Sequence, residues 1–271
     1  TRGMSSAASD VYKRQDFDDA ISYQVGNNNN VLIGVHIADV SHYIKPNSEL
    51  DKEAYLRGNS IYLVDRVVPM LPERLSNELC SLRPNEDKLT FSVIFEVDSK
   101  YQVVDFWIGK TIIHSDYRFA YEDAQEIIEG GEHKISKQIL HLHKIAQHHR
   151  AKRLEKGALN IESREVRFQL DENGAPIDVM LKTSKEAHKL IEEFMLLANK
   201  KVATVIGKPA KNKRITPSVY RIHEEPNPEK ISDLSIFLDQ FDYSIVREKS
   251  KPISSSLNKI CLLYTSPSPR D

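Results

Sequence analysis

Apolar and polar positions along the chain divide it into short β-type stretches separated by helical ones. Ile21, Tyr23 and Val25 alternate with polar residues. Gly26 and four asparagines follow, then the apolar run VLIGVHIADV (31–40). Alternation, turn residues and a buried run predict a β-hairpin. Leu89, Phe91, Val93, Phe95 and Val97 alternate without a break, which predicts a half-buried strand. Asp98-Ser99-Lys100 turns it into the partner YQVVDFWIGKTII (101–113). Val166, Phe168 and Leu170 alternate again, and the turn at 171–174 leads to Ile177–Leu181. Helices are expected over Tyr121–Glu129 and over Ser136–Lys156, the second ending at Gly157. Thr183-Ser184-Lys185-Glu186 has the capping-box pattern, and Ala187, Leu190, Ile191, Phe194, Leu197, Ala198 and Val202 follow at helical spacing. That helix should stop near Gly207-Lys208-Pro209, and a last one is expected over about Glu229–Phe241. No internal repeat is visible. Antiparallel pairs with inserted helices predict an α+β or mixed α/β fold, not a doubly wound parallel sheet.

Composition narrows the class. The chain has 271 residues, 40% hydrophobic and 28% charged, enough apolar content to exclude wholesale disorder. No stretch approaches the roughly 18 apolar residues needed to span a bilayer, and the N-terminus has no secretory h-region. Two cysteines, Cys80 and Cys261, exclude a disulfide framework and suit a cytoplasmic protein. The net charge of −1 advertises no global basic field, so any polyanion must be met by a local patch or a metal. Residues 1–15 and 261–271 resemble translated sequencing-adapter sequence, so the expected division is a non-native tail (1–15), a partial catalytic domain (16–260) and a second tail (261–271).

The candidate chemistry lies in Asp16-Phe17-Asp18-Asp19, just before the first strand. Three carboxylates in four residues repel one another unless a cation offsets them. A solvated loop or helix cap is the plain alternative. An EF-hand is excluded, because its sixth and twelfth positions, Gly and Glu, would be Ile21 and Asn27. A hard-metal site remains, of the kind in which Mg²⁺ is held by a few carboxylates and a substrate phosphate.

Six blocks then follow in order: the acidic cluster through Ala20, IGVHIADVSHYI (33–44), LDKEAYLRGNSIYL (50–63), VVPMLPERLSNELCSL (67–82), AHKLIEEFMLLAN (187–199) and VYRIHEEPNPEK (219–230). Together they resemble the RNB catalytic domain of the ribonuclease II / ribonuclease R family, on the side of the bacterial ribonuclease R branch. The resemblance implies processive, Mg²⁺-dependent hydrolysis of single-stranded RNA from the 3′ end to nucleoside 5′-monophosphates. It implies Asp16, Asp18 and Asp19 as catalytic and metal-binding, with Asp10 at the fourth carboxylate position, inside the adapter-like stretch. Tyr62 matches the aromatic that packs on the 3′-terminal nucleotide, and Glu192 a glutamate against the terminal nucleotides. A second family aromatic falls on Ile161, a departure that alters the stacking clamp. Arg118 and Tyr121 lie in a further matching block, where the resemblance implies either contact with RNA or support of the fold.

Other candidates have plainer readings. His141, His143, His148 and His149 lack the i,i+4 spacing of a helical metal site. Asp39 is balanced between a structural role and support of the site. Lys208, Lys211, Lys213 and Arg214 form a basic loop that would reach a phosphate backbone or simply be solvated. The competing class is a non-catalytic RNA-binding module with an RNB-like fold; a metal-dependent phosphatase would explain only the acidic cluster. Neither a membrane nor a protein partner is implied. The family's arginine in a Ser-Pro-Ile-Arg-Arg block has no match here, so the chain as written is expected to be nearly inactive.

Overall fold

A computed structural model of the chain describes residues 17–64, 66–160, 165–171, 175–207, 217, 219, 220, 222, 226–248, 251, 252 and 256–258. Asp10, Asp16, Ile161, Lys208, Lys211, Lys213 and Arg214 lie outside these residues, as do residues 1–15 and 261–271.

The first predicted hairpin forms from β1 (Asp19–Val25) and β2 (Val31–Ala38), with Asp19 opposite Ile37 and Val25 opposite Val31. Asn28 and Asn29 take left-handed φ values of 56° and 62°, which asparagine tolerates better than most residues, and the Gly26 N–H donates to the Asn30 carbonyl at 2.8 Å. β2 ends before the apolar run does. Asp39 leaves the strand, accepts the His42 N–H at 3.2 Å and starts the short helix α1 (Val40–Tyr43).

The next stretch, unassigned by sequence pattern, holds α2 (Glu49–Arg57) and a small hairpin of β3 (Ile61–Tyr62) and β4 (Val67–Val68). One π-helical turn, Arg74–Leu79, follows; the Cys80 N–H reaches back to the Leu75 carbonyl at 2.8 Å. α2 buries none of its residues, so it has no hydrophobic period to read. Its signal is instead local: the Ser48 hydroxyl accepts the Asp51 N–H at 3.2 Å.

β5 (Asp87–Val97) and β6 (Val103–His114) form the second hairpin. Asp98 shapes its turn by accepting the N–H groups of Lys100 and Gln102 at 2.9 and 2.8 Å. The sheet order is β1-β2-β5-β6, antiparallel throughout. Successive side chains of a strand point to opposite faces. One face therefore buries Val31, Ile33, Val35, Val93, Phe95 and Val97.

The other face corrects the expectation of a half-buried strand, because Thr90 and Ser92 are fully buried there. Their hydroxyls are satisfied across the sheet. His36 is bonded to Ser22 Oγ (2.8 Å) and Ser92 Oγ (2.7 Å), and Thr111 to Ser92 (2.5 Å) and Thr90 (2.6 Å). Buried polar groups cost little once paired in this way. At the end of this face Ala38 packs with Leu75, Cys80 and Leu82, joined by Phe17, Ala20, Tyr43 and Ile113.

α3 (Tyr121–Ile128), α4 (Ser136–Glu155), the hairpin β7 (Glu165–Leu170) and β8 (Pro176–Lys182), and α5 (Glu186–Gly207) follow close to their predicted positions. α5 buries Ala187, Leu190, Phe194 and Ala198, the one-sided stripe of an amphipathic helix. The buried Gln125 of α3 accepts the Ala187 N–H at 3.0 Å, and the Tyr23 hydroxyl meets His141 Nδ1 of α4 at 2.8 Å.

The chain divides into two compact units, Thr1–His143 with Arg164–Asn199 and Lys144–Ser163 with Lys200–Asp271; α4 and α5 contribute to both. The second unit contains α6 (Pro228–Asp239), capped by Asn227, whose side chain accepts the Glu229 N–H at 2.8 Å. Within it Asn258 donates to the Ala158 carbonyl and accepts the Asn160 N–H, at 3.0 and 2.9 Å. The fold is mixed α/β with antiparallel sheets, as the sequence predicts.

Candidate active site

The acidic motif is fixed by its main chain. The Phe17 N–H donates to Ser81 Oγ at 3.1 Å, and the Phe17 carbonyl accepts the Leu82 N–H at 2.8 Å. The Asp18 carbonyl accepts the Ala38 N–H at 3.0 Å, and Asp19 enters the sheet opposite Ile37. The Phe17 ring joins the cluster of Ala38, Leu75, Cys80 and Leu82. An apolar residue in the middle of the motif thus anchors it, and the flanking carboxylates of Asp18 and Asp19 are left on exposed residues.

Their electrostatics differ. Partial desolvation raises the pKa of Asp19, against a smaller lowering by its own backbone N–H. Among the described residues no cation is bonded to the Asp19 side chain, so that N–H alone offsets part of the cost of ionising it. That suits an incoming positive ion. Asp18 lies close enough to Cys80 that its charge, after burial, helps push the thiol upward. No group of three or more His, Cys, Asp or Glu side chains able to hold a metal occurs among the described residues. Of the four predicted ligands only Asp18 and Asp19 fall within them.

Asp39 is not available as a further ligand. It is 5% exposed, and its two oxygens take Lys110 Nζ (2.8 Å), Ser41 Oγ (2.6 Å) and the His42 N–H (3.2 Å). The Lys110 and Ser41 bonds hold its carboxyl below the usual carboxylate range. Asp39 closes the end of β2 and cross-links it to β6, a supporting role.

Tyr62 is on the β3–β4 hairpin and 57% exposed, so packing in the core does not account for its ring. Glu192 is exposed on α5, beside the buried Glu193, which sequence reasoning missed. His188, one turn before Glu192, is stacked on Tyr121 with centroids 4.0 Å apart and planes 12° apart. Arg118, on the segment joining β6 to α3, lies with its guanidinium 4.5 Å from the centre of the Phe17 ring. The only sequence signal for that contact was the order of residues in YRFAY (117–121), which sets Arg118 between aromatics. The four histidines of α4 have different neighbours. His141 meets Tyr23, His143 is partly desolvated with its pKa lowered, and His148 and His149 pack edge to face.

The mixed α/β domain presents the Asp18 and Asp19 carboxylates at one end of its four-stranded sheet, and comparison with known proteins gives its family. The RNB domain family matches residues 8–265, and the chain belongs to that family. It is 45% identical to ribonuclease R of Thermotoga maritima over 231 residues, 83% of this chain and 32% of that one. It is 39% identical to DIS3-like exonuclease 2 of Schizosaccharomyces pombe, over 91% of this chain and 28% of that one. The fold superposes with a TM-score of 0.81 on Mycoplasma genitalium ribonuclease R in complex with ribose-methylated single-stranded RNA, at 27% identity, covering 96% of this chain and 40% of that one. The chain therefore spans about a third of the length of the curated relatives it matches.

Proposed function

We propose that this chain is part of the catalytic domain of a cytoplasmic 3′→5′ exoribonuclease that releases nucleoside 5′-monophosphates processively from single-stranded RNA. The observation that carries the reading is the pair Asp18 and Asp19. They are held by main-chain hydrogen bonds at the head of β1, are exposed, and occur in a chain of the RNB family. The relative from Mycoplasma genitalium binds single-stranded RNA, which agrees with the proposed substrate.

Water attacks the terminal phosphorus, the bond from phosphorus to the 3′-oxygen of the preceding nucleotide breaks, and that oxygen takes a proton. Asp18 and Asp19, with Asp16 and the carboxylate at the Asp10 position, would hold Mg²⁺. Bound there, Mg²⁺ offsets phosphate charge and lowers the pKa of water. The residues described contribute rigidity and charge: Phe17 fixes the motif, and the partly desolvated carboxyl of Asp19 favours a cation beside it. Tyr62 offers an exposed ring for the terminal base, and stacking of this kind contributes about 1–3 kcal/mol. Glu192, exposed on α5, is assigned to the terminal nucleotides.

Asp18→Asn in the full-length protein should abolish hydrolysis while leaving RNA affinity nearly unchanged, because base stacking and backbone contacts supply most of the grip. Single-turnover cleavage at saturating RNA checks this. A rate within about tenfold of wild type, roughly 1.4 kcal/mol in the barrier, would remove Asp18 from the chemistry. A wild-type protein that shifts RNA in a gel but never cuts it would be a binding module.

A further inference from the structure

We infer that Arg118 is a substrate-contacting residue that donates to a phosphate of the RNA beside the acidic motif. The inference rests on the exoribonuclease reading above and adds a residue to it. The Phe17 ring is a fixed platform: its backbone is bonded on both sides, to Ser81 and to Leu82, and the ring packs on the cluster around Ala38 and Cys80. The Arg118 guanidinium lies over this ring at 4.5 Å. Because Phe17 is flanked by Asp16 and Asp18, a ring contact of this length brings a fixed cation to the acidic motif itself.

Geometry then decides what that cation can do. Guanidinium is planar, and its N–H donors lie in the plane. Stacking on an aromatic ring uses the face and leaves the edge to donate, two bonds at a time, to phosphate oxygens. Arg118 is exposed, and no carboxylate among the described residues forms an ion pair with it. A purely structural arginine would be expected to have its edge bonded to protein. Here the ring supplies the positioning, and among the described residues nothing is bonded to the guanidinium edge. Three residues on, α3 begins with Tyr121, stacked on His188 one turn from Glu192. A cation followed by an aromatic platform is the arrangement that grips single-stranded RNA without reading its sequence.

The phosphate also needs such a donor. A phosphodiester approaching clustered carboxylates is repelled at short range, and a cation held in place lowers that cost without a reorganisation penalty. The test is binding of a labelled, single-stranded oligo(A) with a free 3′-hydroxyl to the 271-residue chain, in EDTA so that nothing is cut, across a series of salt concentrations. Arg118→Ala should weaken binding about tenfold, the loss of a charge-assisted contact. It should also reduce the slope of log affinity against log salt by about 0.7, the share of one phosphate on a single strand. Arg118→Lys should restore the slope, since the charge returns, but not the whole affinity, since the planar fork does not. An unchanged slope in Arg118→Ala, or one that Arg118→Lys fails to restore, overturns the inference. Failure of the wild-type chain to bind the oligonucleotide at all would instead overturn the functional reading on which it rests.

Discussion

His36 shows how much one residue can impose on this sheet. Its ring is 4% exposed and spans three strands, with Ser22 on one nitrogen and Ser92 on the other. Two neutral hydroxyls can satisfy a neutral imidazole, one as donor and one as acceptor, but neither offsets a charge. Burial accordingly lowers the pKa of His36 to about 4 from an ordinary 6.5. A histidine held neutral in the fold takes up a proton more readily in the unfolded chain. Stability is then complete above pH 6.5 and is lost as pH falls from there towards 4, by up to about 3 kcal/mol. His143, lowered in the same direction by desolvation, adds to the loss. Asp39 acts at lower pH. Its carboxyl is depressed by Lys110 and Ser41, so its contribution is present above the ordinary carboxylate value and disappears only as pH falls through the depressed one. Urea unfolding at a series of pH values should show the first loss between pH 6.5 and 4, and His36→Gln should flatten it. A wild-type stability independent of pH in that window would contradict the buried, neutral assignment.

At the scale of the element, β2 is the strand that tolerates least. Gly34 stands between Ser22 of β1 and Ile94 of β5. A Cβ built there would meet Ser22 Oγ and His36 Nε2, the two atoms that bond to each other. Gly34→Ala must therefore displace the hydrogen bond as well as create a clash, and it should destabilise the protein by about 1–3 kcal/mol. Thermal or urea unfolding measures this directly; a loss below about 0.5 kcal/mol would mean that β1 moves aside without cost. The elements also differ in how legible they were. β1, β2, β5 and β6 announce themselves because each alternates or runs apolar for at least four residues between turn formers. α5 does so because a buried stripe recurs every three or four residues. α2 and the π-helical turn leave no such trace: the first buries nothing, and the second buries Leu75 alone.

Over the whole molecule, charge nearly cancels. Lys and Arg number 38 against 39 Asp and Glu, and the sequence pI is about 6.8. With so little net charge near neutral pH, exposed apolar surface governs association. The β7–β8 hairpin supplies such surface. Val166 opposite Leu181 and Phe168 opposite Val179 line one face, each between 46% and 58% exposed. Light scattering of the chain should peak near pH 6.8 and fall on either side. Replacing Val179 and Leu181 by glutamate should lower the peak. Scattering indifferent to both changes would show that neither charge nor this face drives association. RNA, on the proposed reading, must likewise be met by local features such as Arg118, because no global field draws it in.

The sequence by itself determined the antiparallel hairpins, the main helices, the acidic motif and its resemblance to the RNB family, because these are properties of neighbours along the chain: period, turn chemistry, and order of blocks. It placed Asp18 and Asp19 ahead of the first strand; the structure leaves Asp18 one residue outside β1 and makes Asp19 the first residue of that strand. Only the tertiary structure decided which candidates are committed elsewhere. Asp39 is consumed by Lys110, 71 positions away, and Thr90 and Ser92 are bonded to partners on two other strands, His36 of β2 and Thr111 of β6. The same holds for the contact of Arg118 with Phe17, which joins residues from opposite ends of the sheet's chain order. Such pairings depend on strand register and on the path of a connecting segment. Both are settled by packing across the sheet, where no local pattern carries the information.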